Sequence, residues 1–215
     1  MNKLLVFDLD GTLIDSRRDL CTGINLMRRH YGLPPLPVAT VSKFVGDGIR
    51  KLVSRSLRDA PGTNLDEAVA INAAAYRAHL HDETTLYPGV AEGLARLADA
   101  GHVLALISNK PRNSCADLLR FFALEKLFAA VMGGDSVANL KPHPEALLRT
   151  LQELRFTPER AWMIGDSAND LACARQAGAH GVFVAYNIGR AAPEIPELTF
   201  DNFTALAGHF LARPD

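Results

Sequence analysis

Apolar residues gather along this chain in short continuous runs, each of which ends in small or polar residues. Leu4-Leu5-Val6-Phe7 stops at an acidic turn containing glycine, the pattern of a strand buried on both faces of a parallel sheet. The same arrangement recurs at Val103–Ile107 before Ser108-Asn109, at Ala129–Met132 before Gly133-Gly134-Asp135, at Ala161–Ile164 before Gly165-Asp166, and at Val182–Val184 before Ala185. Between the later runs the apolar spacing is helical: Val90–Ala100 with Leu94 and Leu97 on one face, Ser114–Phe122, Pro144–Leu154, and Leu171–Ala177. Gly178 closes the last of these as a left-handed C-cap would. Strands alternating with helices predict an α/β fold, a doubly wound, Rossmann-like parallel sheet whose ligands bind at the carboxyl ends of the strands.

Residues 15–85 break the pattern. They carry helical stretches at Leu20–Tyr31, Ile49–Leu57 and Leu65–His81 and no convincing buried strand. Pro34-Pro35 and Pro61-Gly62 punctuate the segment, and Tyr87-Pro88-Gly89 marks the return to the sheet. The organisation expected is a Rossmann-like core formed by 1–14 and 86–215, with an all-helical cap inserted at 15–85.

At 215 residues the chain has room for one large domain, or for one domain carrying such an insertion. Twenty-three basic against 24 acidic residues leave a net charge of -1, which speaks against a nucleic-acid or membrane-surface partner. Cys21, Cys115 and Cys173 are odd in number and widely spaced, so neither a disulfide framework nor structural zinc is expected. No run of eighteen apolar residues offers a membrane span, and the N-terminus lacks the apolar stretch of a signal peptide. The expectation is a soluble cytoplasmic protein, monomeric or a small homo-oligomer.

The sharpest chemical feature is Asp8-Leu9-Asp10-Gly11-Thr12 at the end of the first strand. Alternation along an extended segment aims Asp8 and Asp10 to the same side, and Gly11 permits a sharp turn, so two carboxylates converge where a ligand would sit. Magnesium, which prefers carboxylate oxygens and keeps positions for water and phosphate, is the natural offset to their repulsion. A second acidic cluster, Asp166 and Asp170 within Gly165-Asp166-Ser167-Ala168-Asn169-Asp170, follows another strand at the same edge. Taken alone, that cluster has a second reading, as turn formers and helix caps. Ser108 and Asn109 offer a hydroxyl and an amide to phosphate oxygens, and Lys141 adds positive charge, with Lys110 also near this edge. The seven histidines form no i, i+4 pair, so no histidine metal site is expected.

These motifs, in this order, resemble the haloacid dehalogenase-like hydrolases over nearly the whole chain: Asp8-Leu9-Asp10-Gly11-Thr12, then Ser108, then Lys141-Pro142, then Gly165-Asp166-Ser167 with Asp170. The resemblance implies a doubly wound core with a helical cap after the first motif. It implies Asp8 as the nucleophile that becomes an aspartyl phosphate, and Asp10 as the acid that protonates the leaving oxygen and then activates water. It further implies that Asp8, the backbone carbonyl of Asp10 and Asp166 bind Mg2+, with Asp170 a nearby ligand or an orienter of metal-bound waters. Ser108 and Lys141 would hold the phosphoryl group.

Phe44-Val45-Gly46-Asp47-Gly48-Ile49-Arg50, Leu86-Tyr87-Pro88-Gly89-Val90, Ile107-Ser108-Asn109-Lys110-Pro111 and Lys141-Pro142-His143-Pro144-Glu145 are similar to the phosphoglycolate phosphatase branch. That branch tends to read Tyr-Gly-Tyr-Asn after the fifth strand, where this chain has Val184-Ala185-Tyr186-Asn187. The expected substrate is therefore a small phosphorylated metabolite, 2-phosphoglycolate first. Arg50, after the Gly46-Asp47-Gly48 loop, is the candidate cation for its carboxylate; the alternative is a solvated helix arginine. A phosphosugar mutase of the beta-phosphoglucomutase kind, a phosphatase for a sugar phosphate or nucleotide, and a non-catalytic phospholigand-binding module are the other readings. A dehalogenase would not be expected to keep Asp10, Asp166 and Asp170.

Overall fold

Leu4, Leu5, Val6 and Phe7 are all fully buried, as a continuous apolar run requires when both faces of a strand are covered. The computed structural model describes residues 2–186 and 195–212. In chain order its elements are β1 (Leu4–Phe7), β2 (Ile14–Asp15), α1 (Arg17–His30), α2 (Val38–Ser42), α3 (Ile49–Ser56), α4 (Leu65–Ala78), β3 (Thr85–Leu86), α5 (Val90–Asp99), β4 (Val103–Ile107), α6 (Arg112–Phe121), β5 (Phe128–Met132), α7 (Glu145–Leu154), β6 (Ala161–Gly165), α8 (Ala168–Ala177), β7 (His180–Val184), β8 (Leu198–Phe200) and α9 (Phe203–Leu211).

Six of the strands form one sheet in the order β5-β4-β1-β6-β7-β8, and every adjacent pair in it runs parallel. The order reverses direction beside β1, so β1 and β6 flank the crevice in which ligands of such sheets bind. Side chains alternate across the sheet as strand geometry demands. Leu5 and Phe7 pack with Leu94 of α5, Leu118 of α6 and Phe203 of α9, whereas Leu4 and Val6 pack with Leu147 of α7 and Cys173 of α8. The α/β doubly wound fold is thus as expected. The strand β8 was not anticipated: three residues, Leu198-Thr199-Phe200, give no readable alternation. Asn187 lies outside the described residues. Its neighbour Tyr186 donates its hydroxyl to the Thr12 carbonyl at 2.5 Å, tying the end of β7 to the first motif.

Helices α1 to α4 lie in the chain between β1 and β4, and the short antiparallel ribbon β2/β3 pairs Ile14 with Leu86 and Asp15 with Thr85 where the chain leaves and returns. Buried Asp19 fixes the return, accepting from the backbone N–H of Glu83 at 3.0 Å and from the N–H and hydroxyl of Thr84 at 2.8 and 2.6 Å. Gly23 lets α1 and α4 approach closely, since a Cβ there would meet the Tyr76 Cβ at 2.9 Å. Arg28 is buried at the base of this helical group and donates to the Pro34 carbonyl at 2.7 Å and to both oxygens of Asp59 at 2.8 and 2.7 Å. Among the described residues no helix is long and apolar enough to cross a membrane.

Candidate active site

Asp8 continues β1 by one residue, its N–H donating to the Ile164 carbonyl of β6 at 2.9 Å. The sheet therefore delivers its carboxylate to the crevice. Lys141 arrives from the loop before α7, and its Nζ lies 2.8 Å from Asp8, 2.6 Å from Asp170 and 3.0 Å from the Ile107 carbonyl. Burial pushes the Asp8 carboxyl up to about 6 against the pull of Lys141. Burial also works against the charge on Lys141, but Asp170 and Asp8 outweigh it and hold its pKa above the ordinary lysine range.

Asp8, Asp166 and Asp170 each offer a carboxylate oxygen within 4.8 Å of the others. Octahedral magnesium, with oxygens at about 2.1 Å, holds its ligands roughly 3.0–4.2 Å apart, so the group fits a hard divalent cation. Asp170 is also committed to protein donors: Oδ1 takes Lys141, and Oδ2 takes the N–H and hydroxyl of Ser167 at 3.1 and 2.6 Å. Gly165 makes room for it, because a Cβ there would sit 2.1 Å from the Asp170 carboxyl carbon. These three donors suit Asp170 to orienting the site.

The carboxylate of Asp10 points elsewhere, to Lys110 Nζ at 2.9 and 2.8 Å and to the Ser16 hydroxyl. Two aspartates separated by one residue thus have different partners: Asp8 faces the acidic cluster through Lys141, and Asp10 faces a separate ammonium. Ser108 directly follows β4, which lies beside β1, and is buried, its hydroxyl accepting from the Lys110 N–H at 3.3 Å. Lys110 itself is buried under the ring of Tyr76 on α4, with Nζ 4.8 Å from the ring centroid. Burial pushes the Tyr76 phenol up to about 12, with Lys110 beside it easing ionisation. Ser16 and Tyr76 were not singled out by sequence, and Lys110 was placed near this edge without a role. Lys110 directly follows Ser108-Asn109, which was the available signal, but no periodicity brings Tyr76 over it.

Two expectations need correction. Asn109 does not present its amide to a phosphate: Nδ2 donates to the carbonyls of Gly46 and Lys141, each at 2.9 Å, and Oδ1 accepts from the Lys141 N–H at 2.9 Å. A carboxamide has two N–H donors and both are engaged, so Asn109 fastens the Lys141 loop and the Gly46 loop to the end of β4. Arg50 does not reach over the acids. It stands exposed at the start of α3, paired with Asp66, and lines a cleft of about 510 Å³ with Asp47, Leu65, Asn109, Pro111 and Leu140. The Gly46-Asp47-Gly48 loop does approach the site, where Asn169 donates to Asp47 at 2.9 Å.

Residues 5–184 match the family described as haloacid dehalogenase-like hydrolase. The chain belongs to this family. Among its relatives, a phosphoglycolate phosphatase of Chromobacterium violaceum is 39% identical over 95% of this chain and 94% of its own, and one of Psychrobacter arcticus is 37% identical over 97% and 96%. A crystal structure of a protein from Haemophilus somnus, described as a predicted phosphoglycolate phosphatase, superposes with a TM-score of 0.87 at 28% identity, covering 97% of each chain.

Proposed function

We propose that this protein is a magnesium-dependent phosphatase that hydrolyses a small phosphorylated metabolite, 2-phosphoglycolate, through an aspartyl phosphate. The observation that carries the reading is the division of labour between two neighbouring aspartates. Asp8 shares Lys141 with Asp170 and lies within the cation-competent acids, while Asp10 stands apart on Lys110 and Ser16. A nucleophile beside a metal and an acid-base away from it need such a separation. The names and close similarity of the relatives support the substrate.

In the first step an Asp8 oxygen attacks phosphorus, the ester P–O bond breaks, and Asp10 gives its proton to the departing oxygen. In the second, Asp10 takes a proton from water as that water attacks the phosphorus of the aspartyl phosphate, releasing inorganic phosphate and restoring Asp8. Ser108 and Lys141 hold the phosphoryl oxygens throughout, since this chemistry depends on positioning and charge neutralisation. Asp8, Asp166 and the backbone carbonyl of Asp10 would hold magnesium, with Asp170 orienting its waters. Bound there, the ion neutralises charge that four carboxylates and a phosphate would otherwise set against one another.

Residues 15–85 act as a cap over the leaving-group side of a core formed by 1–14 and 86–215. The contacts of Gly46 with Asn109 and of Tyr76 with Lys110 bring this helical segment to the catalytic edge and support that division. The buried free thiols of Cys21, Cys115 and Cys173 suit a reducing cytoplasm.

The test is phosphate release from small phosphorylated acids, sugars and nucleotides, with and without magnesium, and with Asp8→Asn as control. Magnesium-dependent release that favours 2-phosphoglycolate and is lost in Asp8→Asn is expected. Interconversion of phosphosugars with little free phosphate would replace the reading with a mutase.

A further inference from the structure

Lys110 is a buried ammonium that the hydrolytic steps do not use. Both of its short contacts are to one acid, the Asp10 carboxylate, at 2.9 and 2.8 Å. Lys141 differs, because it is shared between Asp8 and Asp170. Arg50 is exposed and paired with Asp66, and Arg17 is paired with Asp15.

Beside Lys110 lies a second unused donor. Tyr76 is 5% exposed; Lys110 lies beside its oxygen, but its O–H proton meets no acceptor among the described residues, and a buried O–H without an acceptor is costly. Its Cβ and backbone pack close to Gly23, and its ring lies over the same Nζ that binds Asp10. An ammonium with one counter-charge and a phenol whose O–H has no acceptor, together next to the acid-base, ask for an anionic acceptor.

A carboxylate is the acceptor the geometry favours. It takes an N–H and an O–H donor at once through its two oxygens. In the phosphate ester of a 2-hydroxy acid the carboxylate carbon is two bonds from the oxygen that Asp10 protonates, so a group at Asp10 and a group bound to Asp10 can contact neighbouring parts of one small molecule. We propose that Lys110 Nζ and the Tyr76 hydroxyl form the subsite for the substrate's carboxylate, selecting phosphate esters of small 2-hydroxy acids. This rests on the phosphatase reading above and assigns to Lys110 the part the sequence suggested for Arg50.

The test compares 2-phosphoglycolate with ethyl phosphate, which carries a methyl group in place of the carboxylate. The ratio of kcat/KM for the two esters, measured on one preparation, does not depend on how much of that preparation is folded. Lys110→Met is expected to lower this ratio by roughly 10–100-fold, mainly through KM for 2-phosphoglycolate. Tyr76→Phe, which keeps the ring, is expected to lower it by roughly 3–10-fold, and decides the matter if Lys110→Met proves inactive on both esters. An unchanged ratio in the variants, with wild-type protein active on both esters, overturns the subsite and leaves the phosphatase reading standing. Wild-type protein that releases no phosphate, or that does not prefer 2-phosphoglycolate, overturns the reading and the subsite together.

Discussion

Lys141 holds Asp8 at 2.8 Å while its other hydrogen bonds run to Asp170 and the Ile107 carbonyl, so the position of the proposed nucleophile is set by a residue from another loop. Removing one partner of a buried ion pair strands the rest, at a typical loss of about 3 kcal/mol or more. Lys141→Met should therefore lose stability of about that size in the absence of divalent ions, recover part of it when magnesium is added, and lose at least about 100-fold in phosphate release. Denaturant unfolding with and without magnesium checks the first part. Wild-type stability in the variant would mean that the lysine is not holding the acids.

Asp166 belongs to the group of acids that fits a cation. Magnesium should raise the melting temperature of wild-type protein by mass action on the folded state, and Asp166→Ala should abolish most of that rise together with activity. Thermal unfolding across a magnesium titration measures it. Full activity in the presence of a chelator would remove the metal from the account.

Asn109 links two loops, so its loss should act on all substrates alike. Asn109→Ala leaves the Gly46 and Lys141 carbonyls without their donor and should cost about 1–3 kcal/mol of stability. The kcat/KM values for 2-phosphoglycolate and ethyl phosphate should fall by the same factor. A selective loss on one ester would return Asn109 to substrate binding.

Far from the site, the Arg28 guanidinium holds the Asp59 carboxyl down to about 2 from an ordinary value of 3.8. A carboxyl whose pKa is lower folded than unfolded stabilises the fold above its unfolded pKa, and that contribution is lost as pH falls through its folded pKa. The stability difference between wild-type protein and Asp59→Asn should thus be constant above pH about 4 and shrink as pH falls toward about 2. Urea midpoints for both proteins across this range test it; parallel pH profiles would show that Asp59 is not coupled to Arg28.

The parts of this molecule that could be read in advance are those written in consecutive residues. Leu4–Phe7 announces a doubly covered strand because burial on both faces admits only apolar side chains, and the acids after it fall at a strand end because the run stops there. Segments such as β2, β3 and α2 are too short to show a period. The partners of Asp10 were not legible for a different reason. Lys110 stands 100 residues away and Tyr76 reaches it only because Gly23 lets two helices close together. Asn109 and Arg50 were misplaced by the same limit: sequence gives a side chain's donors, whereas the folded chain decides which of them Gly46, Lys141 and Asp66 have already engaged.

The account turns on Asp8 forming a covalent bond to phosphorus. Rapid acid quenching of the magnesium-loaded enzyme during turnover of 2-phosphoglycolate, followed by digestion and mass analysis, measures this directly. One phosphoryl group on the peptide that carries Asp8, acid-stable but released by hydroxylamine and absent from Asp8→Asn, is the expected result. Phosphate release by Asp8→Asn at a near wild-type rate, or turnover with the label on another residue, would contradict the account.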